Sequence, residues 1–375
     1  MEEKKPGGKR ALSVLLAVLL VAAAGFAVYV NRNTAFISSA LQLFVPGAKT
    51  DLSLGLEEAD EYSYAKLDDQ IVIARPDGVA AYDRALEEQW SIAISGDAPT
   101  VKTSGRYALV FYANSTQAVL ANGKNNVPIA TEYNIIGGSV NDDGYFALVT
   151  EEQGFKSQVI VYAPDGTVQY KWHSADQYVV GAEVSPKNNA MVVSTLNFDE
   201  GAAAGSLVFF DFSKTEPVRT FDFTGNLVLD LKYYDQNNIV AVGDQALSAF
   251  HADGYRQWEV KYDAKTLFTY NTDGDNIVLA LGNTGASTDK TAVQVYTPDG
   301  KLKGEFTNNG EVVGLDVNKN RILVAGTRDL KTISESGKQQ RSFNVGKEIK
   351  RAFLFDNSKT AFAVTSSMAQ IVQLD

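Results

Sequence analysis

His173 and His251 are the only histidines in the chain, 78 residues apart, and there is no cysteine. Disulfides, thiolate zinc sites and thiol nucleophiles are therefore excluded. A histidine-based metal site needs several ligands at suitable spacing, which two distant histidines do not supply. Each stands beside a turn or a strand end, as a structural or exposed side chain would. Nothing marks a Ser-His-Asp relay. The acidic runs at 141–144 (NDDG) and 273–276 (DGDN) suggest calcium, but neither has the alternating oxygens and distant glutamate of a calcium loop. Asn, Asp and Gly are also what tight turns require, and that is the reading taken here. No phosphate-cradling glycine loop joins a strand to a helix, and no cofactor or metal is expected.

The acidic turns belong to a repeat. VIVYAPDGTVQYKW begins at Val159, and VQVYTPDGKLKGEF begins at Val293, 134 residues later. Polar turns followed by short apolar runs recur along the chain, the runs starting at Ile71, Tyr107, Phe146, Met191, Ile239, Ile277, Ile322 and Phe362. Their spacings are 36, 39, 45, 48, 38, 45 and 40 residues. A period of about 42 is the length of a four-stranded propeller blade. Each run reads as a buried strand, being short, rich in β-branched residues and bounded by turns. A second hairpin follows, with Asn122-Gly123, Asp165-Gly166, Asp253-Gly254, Asp299-Gly300 or Ser336-Gly337 at its turn. Glycine supplies the positive φ that such a turn needs.

The fold class is therefore all-β, an eight-bladed β-propeller over residues 50–375. A seven-bladed ring is the alternative if the first repeat divides differently. With strands named A to D from the inside out, the last repeat ends after strand C. Its open edge requires a partner, and residues 51–56 (DLSLGL) are expected to supply it.

The N-terminal region carries a different signal. The run from Ala11 to Val30 is free of charge, and Lys4, Lys5, Lys9 and Arg10 precede it. Twenty helical residues span about 30 Å, the thickness of a bilayer core. The positive-inside bias keeps residues 1–10 in the cytoplasm as a short tail. We expect a single-pass plasma-membrane anchor at 11–30, a juxtamembrane stalk at 31–49 and an extracytoplasmic propeller. A cleaved signal peptide is the rival reading, since Ala22-Ala23-Ala24 could hold a cleavage site, but signal cores are usually shorter. In the stalk, Phe36, Ile37, Ala40, Leu41 and Phe44 fall at helical spacing. Residues 1–10 carry net +2 and the remainder −13, for −11 in all. An acidic ectodomain repels nucleic acid, so no nucleic-acid partner is expected.

Trp90, Trp172 and Trp258 each fall in the outermost strand of a repeat, the last two after Asp-Gly turns. Ala163-x-Asp165 with Trp172, and Asp253-Gly254 with Trp258, resemble degenerate quinoprotein- and WD40-like repeats. In those repeats a turn glycine and an outer-strand tryptophan dock neighbouring blades. The whole layout resembles an uncharacterised family of membrane-anchored β-propeller proteins of Gram-positive bacteria. That resemblance implies fold and location and carries no activity.

Loop length points to one face. Three B–C connections are long: 151–157 (EEQGFKS), 196–205 (LNFDEGAAAG) and 282–290 (GNTGASTDK). In a propeller the B–C and D–A connections share a face, and long loops on a rigid scaffold commonly bind. Glu151, Glu152, Phe155, Phe198, Asp199, Glu200 and Asp289 come from these loops. Tyr133, Asp176 and Tyr178 come from the D–A connections. Together they form a candidate partner-binding face. The sequence thus predicts a non-enzymatic binding or scaffolding module for a protein or a cell-envelope polymer. Two alternatives stand beside it: an envelope glycan- or ester-acting enzyme using paired carboxylates, and a sensor coupled through the membrane.

Overall fold

The computed structural model describes residues 52–374, apart from 58, 124, 200, 201 and 284–289. The expected anchor and stalk lie outside the described residues. Among the described residues, no helix is long and apolar enough to cross a membrane. All strands discussed here belong to one compact unit, residues 53–84 with 88–375.

Eight four-stranded antiparallel sheets follow one another along this unit, giving an eight-bladed propeller. The A strands of blades 1 to 8 are Ser63–Leu67, Asp97–Ser104, Ile135–Val140, Tyr178–Val184, Val228–Tyr233, Thr266–Asn271, Val312–Asn318 and Ile349–Leu354. Seven blades are built from consecutive strands. Blade 8 takes its outermost strand from Ser53–Gly55, which pairs with Met368–Gln373 in the register Ser53↔Gln370 and Gly55↔Met368. The edge expected to be open is thus closed by the residues expected to close it.

The apolar B strands are buried on both faces because each blade packs between two others. In blade 2, Leu109 and Phe111 point toward blade 3 and pack with Ile135, Phe146 and Ile160. Ala108, Val110 and Tyr112 point the other way and pack with Val72, Val79 and Ala81 of blade 1. Period-2 alternation therefore delivers neighbouring residues to different interfaces, and the strand reads as an unbroken apolar run.

Polar staples reinforce the contacts. Asn141, at the A–B turn of blade 3, donates to the Ser185 carbonyl of blade 4 at 3.1 Å. Asn318, one position past Val317 in blade 7, donates in the same way to the Phe355 carbonyl of blade 8 at 3.1 Å. On the rim, turn glycines sit against the outer strand of the preceding blade. Gly300 adopts a φ of +80°, and a Cβ there would lie 2.6 Å from the Trp258 ring. Trp258 Nε1 donates to the Pro298 carbonyl beside it at 3.2 Å. Trp172 packs on Phe210 of blade 4, with ring centroids 4.9 Å apart. The tryptophans are blade-docking residues, as the repeat implied.

One ion pair spans the closure. Asp316, on the A strand of blade 7, accepts the Leu354 amide of blade 8 at 2.6 Å and is 3.3 Å from the Lys66 ammonium of blade 1. Lys66 Nζ also donates to the Val317 carbonyl at 3.1 Å. Burial pushes the Asp316 carboxyl up to about 6, and Lys66 opposes that rise. Asp316→Ala would strand a half-buried ammonium and a buried amide, and should cost about 3 kcal/mol in urea unfolding. In Lys66→Met the carboxyl can take up a proton instead. A carboxyl whose folded value lies above its unfolded one stabilises fully below the unfolded value, and that contribution is lost as pH rises through the folded value. The deficit of Lys66→Met should therefore be small near pH 4 and grow above pH 6, which unfolding titrations across that range would read.

Candidate binding face and channel

Seven of the eight A strands carry a register shift near their start. The shifts fall between Asp97 and Pro99, Ile135 and Gly137, Val179 and Gly181, Val228 and Asp230, Leu267 and Thr269, Val312 and Gly314, and Ile349 and Arg351. A bulge leaves one residue unpaired and re-aims its side chain. In blades 3 to 7 that residue is Ile136, Val180, Leu229, Phe268 and Val313, each apolar. A strands line the central channel and begin at the D–A face, so these residues ring the mouth on that side. Ile136 and Leu229 are 49 % and 45 % exposed.

Exposed apolar side chains concentrate here. Ile136, Phe155, Tyr178, Val180, Phe198 and Leu229 all lie on the B–C/D–A face of blades 3 to 5. The other exposed large hydrophobics among the described residues, Val168, Val218, Tyr255 and Leu302, sit at the C–D turns of outer strands. An apolar cluster on one face marks an interaction site more strongly than the same residues scattered.

Several predicted residues meet on this face. Glu152 Oε2 lies 2.6 Å from His173 Nδ1, and its Oε1 accepts from Gln158 at 3.2 Å. The Phe155 ring packs against His173, with centroids 5.2 Å apart. Glu151 accepts from Asn134 at 3.2 Å. The Tyr178 ring lies 5.0 Å from the Lys156 ammonium. Tyr133 sits by Glu132 and Glu152, whose charges push its phenol up. Asp176 is exposed on the connection leading to Tyr178. Next to Asn134 a polar depression of about 540 Å³ opens on the same face, lined by Asp97, Asn114, Thr116 and Gln117. Glu200 and Asp289 lie outside the described residues, with most of the 282–290 connection.

One expectation needs correction. The described residues of the stretch 196–205 are strand, not loop. Strands B and C of blade 4 run on as a ribbon, Ala190–Asp199 with Ala202–Asp211, paired through Phe198↔Ala203 and Asp199↔Ala202. The hairpin partner imposes strand geometry on an Ala-rich sequence of low β propensity. Phe198, 61 % exposed, stands on this ribbon. His173, whose side chain is 41 % exposed, is held by Glu152 within the face.

The acidic turns are occupied by turn bonding. Asn141 Oδ1 accepts the amides of Asp143 and Tyr145 at 3.1 and 3.0 Å. Asp142 accepts from Ser104 at 2.5 Å, and Asp143 from Asn188 at 2.9 Å. Asn276 donates to Glu335 at 2.6 Å. No group of three or more His, Asp or Glu placed to hold a metal ion occurs among the described residues.

The channel behind the mouth carries charge, which sequence reasoning missed. Glu183 and Asp230 stand on the neighbouring A strands of blades 4 and 5, with Lys102 of blade 2 and Lys232 of blade 5 near them. Glu183 is half-exposed to the channel yet ringed by protein. Burial pushes its carboxyl up to about 8, Lys232 and Lys102 oppose this, and Asp230 adds to it. Burial likewise raises Asp230. The Asp273 carboxylate, 3.7 Å from Lys232, helps hold that lysine protonated against its desolvation. Because the folded value of Glu183 exceeds its unfolded one, its contribution is complete below about pH 4.5 and lost as pH rises through 8. Glu183→Gln should therefore flatten the fall of melting temperature over that window and raise it by roughly 1–3 °C at pH 9. Thermal melts from pH 4 to 9 test this.

Comparison with known proteins fits the architecture. BamB from Moraxella catarrhalis superposes with a TM-score of 0.54 at 13 % identity, covering 86 % of this chain and 99 % of that one. The C-terminal WD40 domain of Sif2 superposes with a TM-score of 0.64 at 11 % identity, covering 87 % and 98 %. At these identities the likeness is one of fold. No curated protein sequence matches the chain. Over residues 47–374 the sequence matches a defined family, and the chain belongs to it: the family of unknown function DUF5711.

Proposed function

We propose that this chain is a non-catalytic binding module that engages a protein partner through the B–C/D–A face of blades 3 to 5. One observation carries the reading: six of the exposed large apolar side chains share that face, on A strands, the blade 4 ribbon and the 151–157 connection. Desolvated aromatic and aliphatic anchors dominate protein interfaces. Residues 11–30 would hold the module at the plasma membrane, with residues 1–10 cytoplasmic and the propeller outside.

A second reading has its own observation. Glu183 and Asp230 are neighbouring carboxyls in the channel, both held toward the protonated form. Paired acids of this kind serve glycoside or ester cleavage. A channel enzyme would lose turnover in Glu183→Gln and be indifferent to the apolar face, whereas the binding module behaves in the opposite way.

The absence of cysteine allows single-cysteine probes without background. Photocrosslinkers placed by maleimide at Phe155→Cys and Tyr178→Cys should capture one recurrent protein in cells, and the same probe at Asp299→Cys, on a C–D turn, should not. Equal capture from all three, or none from the face, would overturn the reading. In the same cells a membrane-impermeant maleimide should label Ser115→Cys and spare Gly8→Cys; the reverse pattern would sink the proposed topology.

A further inference from the structure

A second site lies away from the face of blades 3 to 5 and does not depend on it. We propose that the seam between blades 1 and 2 binds a small, soluble amphiphile, with its apolar body in the seam and a cationic head beside Asp77 and Asp97.

The first support is a cavity. Strand D of blade 1, Glu88–Ile92, faces strands C and D of blade 2, Gln117–Ala121 and Asn126–Ala130. At the B–C/D–A end of this seam a cleft of about 700 Å³ opens, walled by Ile92, Ile94, Ala118, Val119, Pro128 and Ile129. It runs on into the polar depression of about 540 Å³ beside Asn134, since Ser95 and Gln117 line both. An apolar cleft of this size with a few polar groups at one end is the usual form of a small-molecule site. Side-chain size accounts for the gap. Between blades 4 and 5, Phe221 and Phe223 pack edge-on against Phe250, with centroids 4.9 and 5.9 Å apart. Between blades 1 and 2, isoleucines meet alanine and valine, and the seam is left unfilled.

The cleft is also held open in advance. The Gly96 amide donates to the Pro76 carbonyl at 3.0 Å. The hydroxyl of Tyr112, a fully buried side chain, lies 3.1 and 3.2 Å from the carbonyls of Arg75 and Ile94. Gly96 crosses this tyrosine so closely that a Cβ there would stand 2.6 Å from the Tyr112 Cβ. The 93–96 connection is therefore pinned to blade 1 on one side and to Tyr112 on the other. A ligand entering such a cleft meets walls that need little ordering, which favours binding.

The second support is charge. Asp77 lines the apolar part and Asp97 the polar part, both are exposed, and neither forms an ion pair among the described residues. No lysine or arginine lines either part. The Asp77 carboxylate is felt at the cleft floor, where it adds to the effect of burial in pushing the Tyr112 phenol up to about 12. A cationic head gains from both carboxylates, and an anionic one is repelled.

The test uses the full chain in phosphatidylcholine nanodiscs and three photoreactive probes. Each carries the same diazirine-bearing octyl chain, ending in an amine, an alcohol or a carboxylate. After irradiation, mass spectrometry locates the labelled residues, which separates this site from the lipid. The amine should label 92–95, 117–119 and 128–130 at least tenfold more than the carboxylate does, and unlabelled octylamine should compete. Ala93→Trp adds bulk at an exposed position of the cleft and should reduce the labelling at least tenfold. The double variant Asp77→Asn, Asp97→Asn should lower labelling by the amine about tenfold and leave labelling by the alcohol unchanged. Melting curves would confirm that both variants fold. Equal labelling by amine and carboxylate would mark an unselective apolar surface and overturn the inference. So would undiminished labelling of Ala93→Trp, labelling spread evenly over the propeller, or no labelling by any probe.

Discussion

Ring closure is the constraint on which the rest of this structure depends. Every blade but the eighth takes its four strands from one continuous stretch of chain. Blade 8 is completed by Ser53–Gly55, a three-residue strand that seals the ring by pairing with Met368–Gln373. The Lys66–Asp316 pair then ties blades 7, 8 and 1 together on the channel side. The arrangement is economical because the inter-blade cores are continuous. Each B strand contributes to two interfaces, so an open junction would expose apolar surface on both of its sides. A buried carboxylate is a costly fastener, and here it is matched by an ammonium and a backbone amide, the condition under which such a pair holds.

A one-residue insertion separates scaffold from function. The repeated bulge near the start of the A strands leaves the inter-blade packing intact below it and frees one side chain above it. In blades 3 to 7 that side chain is apolar, so the channel mouth differs chemically from the channel behind it, where Glu183, Asp230, Lys102 and Lys232 gather. A single tube thus has an apolar rim and a charged wall. The outward face adds aromatic groups and acidic connections to the rim.

Much of the fold was legible because its signals are local. Asp-Gly and Asn-Gly turns announce positive φ, and Asp165-Gly166 and Asp299-Gly300 adopt it at +84° and +80° on the glycines. The B strands announce burial on two sides. The incomplete last repeat announces the need for an N-terminal strand. The site was less legible. Phe155 and Phe198 could be found from loop length, but the ribbon that carries Phe198 looked like a loop, because alanine and glycine reveal nothing of the partner strand that orders them. The bulge residues did leave a trace: Ile135-Ile136, Val179-Val180, Val228-Leu229 and Val312-Val313 are apolar doublets that break strand alternation at one position in successive repeats. The channel charges left none. Glu183 and Asp230 read as ordinary polar positions of half-covered strands, and only the circular arrangement brings them together with lysines from other blades.

The closing strand also sets an order in time. Residues 53–55 leave the ribosome more than three hundred residues before their partners at 368–370. Through all of that interval the first blades can stack on one another, but the circle stays an arc with two unsatisfied ends. Contacts that join distant parts of a chain form slowly, so the last hairpin acts as a clasp whose arrival decides when the nascent protein becomes a ring. An arc with a bare edge at each end can also accept the wrong partner, including the matching edge of another copy. Whatever keeps this chain from assembling end to end must act before the clasp is made.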